Sequence, residues 1–106
     1  MYCVTVTYPK SEGTNFNYDY YVQNHIPLCA QLLAQHGYLG YVLRSNQGET
    51  PGSVELSYAS IDLLFESQQQ MEAGLAEAGG AIVADLANYT NVHTQMSFSE
   101  LTLSTI

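Results

Sequence analysis

The stretch YDYYVQNHIP, residues 18 to 27, holds the side chains best suited to chemistry. A histidine titrates near neutrality, and beside a tyrosine hydroxyl it suits proton transfer at the carbon next to a carbonyl, or in lactone or enol rearrangement. Tyr21 stands one helical turn before His25 and Cys29 one turn after it, so a helix would set all three on one face. Pro27 has no N–H for the carbonyl of Gln23 and disfavours helical geometry at Ile26, so the helix is expected to kink or restart just after His25. A kink on the sheet-facing side would leave room beside the imidazole.

Two readings of His25 follow. If it lines a cleft, His25→Ala should cost on the order of 1 kcal/mol or less, because little packing depends on it. If it is a satisfied core residue, the change should leave a cavity and an orphaned partner, at about 2 kcal/mol or more. The kink favours the first. Tyr20 and Tyr21 can serve the site or simply pack, since aromatics at helical spacing are usually core. Asp62, on an otherwise apolar strand, could orient His25 or a ligand, or face solvent at an edge. Arg44 could fork onto a substrate carboxylate, although an ordinary surface ion pair is the simpler use. His25 and Cys29, even with His36 or His93, fall short of a three- or four-ligand set, so no metal site and no cofactor are expected.

The elements that must position these groups can be read from the pattern. Tyr2 to Tyr8 alternates like a half-buried strand ended by Pro9. From a cap at Asn17, Tyr18, Tyr21, Val22, His25, Leu28, Cys29, Leu32 and Leu33 follow one helical face as far as Gly37. YLGYVLRS and ELSYASIDLLF read as strands joined by the loop NQGETPGS. Ser67 with Gln70 marks a capping box, and a second helix follows with a bend expected near Gly79. The stretch from Asn91 alternates as a last strand. The order β-α-β-β-α-β is the ferredoxin-like split βαβ arrangement, an α+β fold whose four-stranded antiparallel sheet carries both helices on one face.

A chain of 106 residues is expected to form a single domain, residues 1-106, with a modest core. Only 11% of its residues are charged, against 46% hydrophobic, and the strand ELSYASIDLLF is apolar or aromatic in both registers. The open sheet face is therefore expected to meet a second copy, giving a homodimer in which two sheets close a barrel. Lys10 and Arg44 are the only strong cations in a chain of net charge −8, which argues against nucleic acid and anionic membranes as partners. Two cysteines without finger spacing, and a strand beginning directly after Met1, fit a reducing cytoplasm.

The runs FNYDYYVQNHIPL (Phe16 to Leu28), GYLGYVLR (Gly37 to Arg44), LLFES (Leu63 to Ser67) and NYTN (Asn88 to Asn91) resemble the EthD family, named for ethyl tert-butyl ether degradation. Its most specific part is Asp19-Tyr20-Tyr21 followed by His25-x-Pro27. Asn17 stands where the family commonly has an aspartate, and Ala87 where a proline often precedes the Asn-Tyr-Thr run. The resemblance implies a dimeric α+β barrel with a site between helices and sheet. Tyr89, in the family-like run, joins Tyr18, Tyr20, Cys29 and Asp62 as expected ligand-binding residues around catalytic His25 and Tyr21. The implied occupant is a small, mainly apolar organic molecule. The implied chemistry is of isomerase, cyclase or lyase type; the alternatives are a non-catalytic accessory or ligand-binding protein and, behind both, a cofactor-free or haem-dependent oxygenase.

Overall fold

The computed structural model describes residues 1–48 and 55–105. Strand β1 (Tyr2–Pro9) leads into a helical segment made of three pieces end to end: α1 (Tyr18–Tyr20), a π-helical turn (Tyr21–His25) and α2 (Ile26–Leu33). Strands β2 (Tyr38–Gly48) and β3 (Glu55–Phe65) follow, then α3 (Gln68–Asp85), a 3-10 turn (Leu86–Asn88) and β4 (Gln95–Glu100). The sheet order is β2-β3-β1-β4 with every neighbouring pair antiparallel, the ferredoxin-like arrangement. Strand β2 runs three residues into the stretch read as a loop, and residues 49–53 of that stretch lie outside the described residues. Helix α3 continues unbroken through Gly79 and Gly80.

The caps fall where the sequence put them. Asn17 accepts a hydrogen bond from the Tyr20 amide at 3.1 Å, and Ser67 accepts from the Gln70 amide at 3.2 Å while donating to the Gln70 side chain at 2.9 Å. Pro27 accounts for the π turn. Its ring crowds the preceding turn and its missing N–H leaves an unmatched carbonyl, and the wider turn absorbs both, with the Ile26 amide reaching back to the Tyr21 carbonyl. The restart falls at Ile26, as expected. A π turn inserts one residue, so the two halves of the segment are out of step with a single helical stripe. Tyr21 is buried where a continuous stripe would also bury Val22, and Ile26 is buried beside His25, while Val22 is exposed.

One sheet face packs under the helices through Val4, Ala59, Ile61, Leu63 and Phe65. Pairing register sends Thr5, Thr7, Val42, Arg44, Ser60 and Asp62 to the opposite face. That face is less apolar than expected from both registers of β3. Arg44 forks onto Asp62 at 3.0 and 3.1 Å, Thr5 donates to Asp62 at 2.7 Å, and Thr7 pairs with Ser60 at 3.0 Å. Ile61, on the other register of β3, lies on the helix side. Among the described residues no helix is long and apolar enough to cross a membrane.

The turn from α2 into β2 depends on Gly37, whose φ of +67° is left-handed and whose missing Cβ leaves room for the Gln70 side chain, 2.6 Å from where that atom would stand. Gly37→Ala is expected to destabilise the fold by about 1–2 kcal/mol through backbone strain, with some further cost for displacing Gln70. Chemical denaturation of the variant beside wild type checks it, and an unchanged midpoint would refute it.

Candidate active site

Two chain segments far apart in sequence are stitched together to make the site. The Phe16 and Thr90 backbones form an isolated antiparallel bridge, and the Asn17 amide donates to the Tyr89 carbonyl at 2.8 Å. Thr90 donates to the Asn15 carbonyl at 2.7 Å, and Asn91 bonds both the Asn15 amide and the Gly13 carbonyl. This clamp fixes the start of the helical segment against the end of α3, and so fixes His25 against Asp85.

His25 is 4% exposed. Its Nδ1 lies 2.9 Å from Asp85 Oδ2, and its Nε2 lies 3.6 Å from Cys29 Sγ. The other carboxylate oxygen of Asp85 accepts from the Tyr20 hydroxyl at 2.8 Å and from the Asn88 amide at 2.9 Å. Desolvation pushes the Asp85 carboxyl up, but the hydrogen bonds from Asn88, His25 and Tyr20 outweigh it and hold the group below its ordinary range. An ionised carboxylate only accepts, so Nδ1 carries the proton and Nε2 a lone pair. Burial lowers the imidazole below its ordinary value against the opposing pull of Asp85, which keeps it neutral at pH 7. Burial also drives the Cys29 thiol up to about 12, so the sulfur stays protonated and offers Nε2 only a weak donor.

Nε2 turns toward Cys29, and both residues wall a cavity of about 160 Å³ between the helices and the sheet. Its floor is Val4, Val6, Ile61 and Leu63, and its walls are otherwise almost wholly apolar. Tyr8 and Tyr21 also line it. The Tyr8 hydroxyl is 2.8 Å from that of Tyr89, whereas the buried Tyr21 hydroxyl has no hydrogen-bond partner among the described residues. Burial, then the neighbouring Tyr8, raises Tyr21, and burial takes Tyr8 to about 12, so both stay protonated. A base whose Nε2 lone pair meets only the weak Cys29 thiol donor, together with two protonated phenols, thus lines one apolar cavity, an arrangement that can accept and return a proton.

Of the residues expected at the site, His25, Tyr21 and Cys29 share the cavity. Tyr20 and Tyr89 stand behind it: Tyr20 holds Asp85, and Tyr89 packs on His25 with centroids 4.7 Å apart. Tyr18 lies outside, exposed next to Phe16. Asp62 is corrected: it is on the far face of the sheet, bound to Arg44 and Thr5, and orients neither His25 nor anything in the cavity. Arg44 takes the ion-pair role. Asp85, Asn88 and Tyr8 were missed. Asp85 had one legible signal, since an acid in the last turn of a helix faces the negative end of the macrodipole and needs a specific partner to stay there.

No protein-family model matches the chain, and no curated protein matches it. Solved structures do. An EthD-like protein from Ralstonia eutropha superposes with a TM-score of 0.86 at 26% identity, covering 96% of this chain and 92% of that one. An ethyl tert-butyl ether degradation (EthD) family protein from Bacillus halodurans gives a TM-score of 0.74 at 14% identity, covering 96% and 99%. SnoaB from Streptomyces nogalater, a cofactor-independent oxygenase, is similar in fold, with a TM-score of 0.60 at 11% identity over 98% and 94% of the chains. The fold is the dimeric α+β barrel. Within it, the chain is similar to the EthD-like proteins.

The two readings of His25 prove compatible, because the ring is both buried and cavity-lining. His25→Ala is therefore expected to cost about 2 kcal/mol or more, leaving a hole against Tyr89 and Asp85 without its partner. The lowered imidazole also sets a pH dependence. The unfolded chain takes up the His25 proton first, so stability should fall as pH drops through about 6.5 and level off below the folded pKa. Loss of the Asp85 charge adds a second decline at still lower pH. Thermal melts across this range, compared with His25→Gln, check the first window; a wild-type profile flat from pH 7 to 5 would contradict it.

Proposed function

We propose that the protein binds a small, mainly apolar organic molecule in the cavity between helices and sheet, and that His25 acts there as a general base. The observation that carries this reading is the 2.9 Å bond from His25 Nδ1–H to Asp85, which leaves the Nε2 lone pair beside an apolar cavity. Asp85 positions the imidazole and steadies the cation formed when Nε2 takes a proton. The low-dielectric walls strengthen that attraction. Isomerisation, cyclisation and elimination all begin with such a transfer, and the imidazolium can return the same proton at another atom, so no co-reactant is consumed.

The same proposal includes a homodimer through the open sheet face and a cytoplasmic setting, the latter supported by two buried free cysteines. Val42 and Leu56 are exposed on that face around the Arg44–Asp62 pair, a polar centre with apolar margins that a second copy can match by two-fold symmetry. Val42→Asp alters a side chain that is half exposed in one subunit, so it should leave the fold intact and shift sedimentation from dimer to monomer. A wild type that sediments as a monomer at micromolar concentration would remove the dimer from the proposal.

Proton abstraction can be read without knowing the product. Small enolisable compounds that bind in deuterated buffer should exchange their acidic carbon hydrogens for deuterium, followed by NMR of the compound. Asp85→Asn is expected to slow that exchange on the order of a hundredfold while binding persists. Binding with exchange no faster than in buffer or with His25→Gln would leave a ligand-binding protein without catalysis.

A further inference from the structure

Two features of the cavity remain unused by a general base. The first is the hydroxyl of Tyr21, a wall residue: it is fully buried and has no hydrogen-bond partner among the described residues. An unsatisfied buried hydroxyl is costly, and native folds keep one mainly where something else satisfies it. Its neighbour adds a second donor. If Tyr89, which is behind the wall, donates across the 2.8 Å contact to Tyr8, the Tyr8 O–H is left to donate to another acceptor. The second feature is size. An apolar cavity of roughly 150 Å³ is known to hold one benzene ring, and this one measures about 160 Å³. Gly79 on α3 forms part of its wall, and a Cβ added there would meet no atom within 4 Å. The helix thus leaves space at Gly79 that a side chain would fill.

We propose that the cavity is built for a molecule of about one six-membered ring bearing a single carbonyl, enol or phenol oxygen, which the Tyr21 hydroxyl holds by donating a hydrogen bond, with Gly79 keeping the space open. The inference rests on the reading of the cavity as the binding site and names the class of its occupant. The ring fills the apolar volume. The oxygen satisfies Tyr21, and an acidic O–H or an adjoining C–H is presented to His25 Nε2. Charged or polyhydroxylated molecules are disfavoured, because beyond Tyr8, Tyr21, His25, Cys29 and Thr94 the described walls carry only apolar side chains and glycine, too few polar groups to replace their water.

The test compares two probes that differ by one hydroxyl, 4-methylphenol and toluene, titrated by NMR into the full chain and into Tyr21→Phe and Gly79→Leu. Wild type should bind both, the phenol more tightly. Tyr21→Phe removes an unpartnered hydroxyl from an unchanged ring, so its melting temperature should hold or rise. It should weaken 4-methylphenol about tenfold, the effect of one lost hydrogen bond, and leave toluene unchanged. Gly79→Leu should weaken both. Equal loss of the two probes in Tyr21→Phe, or no loss of either, overturns the role of the hydroxyl while the cavity stands. Probes unaffected by Gly79→Leu bind elsewhere, and a wild type that binds neither fails the underlying reading of the cavity, and the inference with it.

Discussion

Pro27 imposes the constraint on which the site depends. A proline in mid-helix removes one hydrogen bond and crowds the turn before it, a cost of about 3 kcal/mol in a regular helix. Here the turn widens instead of breaking, so the backbone keeps its bonds with a register one residue longer. The displaced register lets Tyr21 and His25 lie nearly parallel, 5.8 Å apart at 19°, with Ile26 and Cys29 below them on the same wall. A straight helix would have distributed these side chains differently. The proline is thus the local cause of the cavity wall, and the imidazole is its most consequential passenger.

The second constraint is the distance in sequence between base and carboxylate. His25 and Asp85 sit on different helices, and nothing within either helix fixes their separation. The bridge of Phe16 to Thr90, with the Asn15, Asn17, Thr90 and Asn91 bonds around it, ties the beginning of one to the end of the other. The family-like Asn-Tyr-Thr-Asn run does more than cap α3. Tyr89 turns back onto the imidazole, Asn88 holds the carboxylate, and Thr90 and Asn91 close the clamp.

The strands, both caps and the place where the helix restarts were legible in the sequence because each depends on neighbours a few residues apart. Alternation in Tyr2 to Tyr8 and the Ser67 to Gln70 spacing need no tertiary information. The burial of Ile26 in place of Val22 was not legible, because a pattern search at 3.6 residues per turn has no place for an inserted residue. Asp62 misled for a related reason. It stands out on an apolar strand, but strand register alone decides its face, and pairing with Thr5 and Val42 puts it away from the helices. Asp85 carried the opposite risk: it looks ordinary in composition and matters through a contact 60 residues away.

Burial and chemistry are often set against each other for a single histidine, yet here each requires the other. Exposed to water, His25 would gain a proton near neutral pH and its bond to Asp85 would be screened. Enclosed, it stays neutral, and the carboxylate fixes which nitrogen bears hydrogen. The same desolvation keeps Cys29, Tyr8 and Tyr21 protonated, so none of these cavity-lining groups competes as an anion with Nε2 for a proton. The core that stabilises the fold is therefore also what leaves one basic lone pair in an apolar space. A substitution that let water in would alter the site before it altered the sheet.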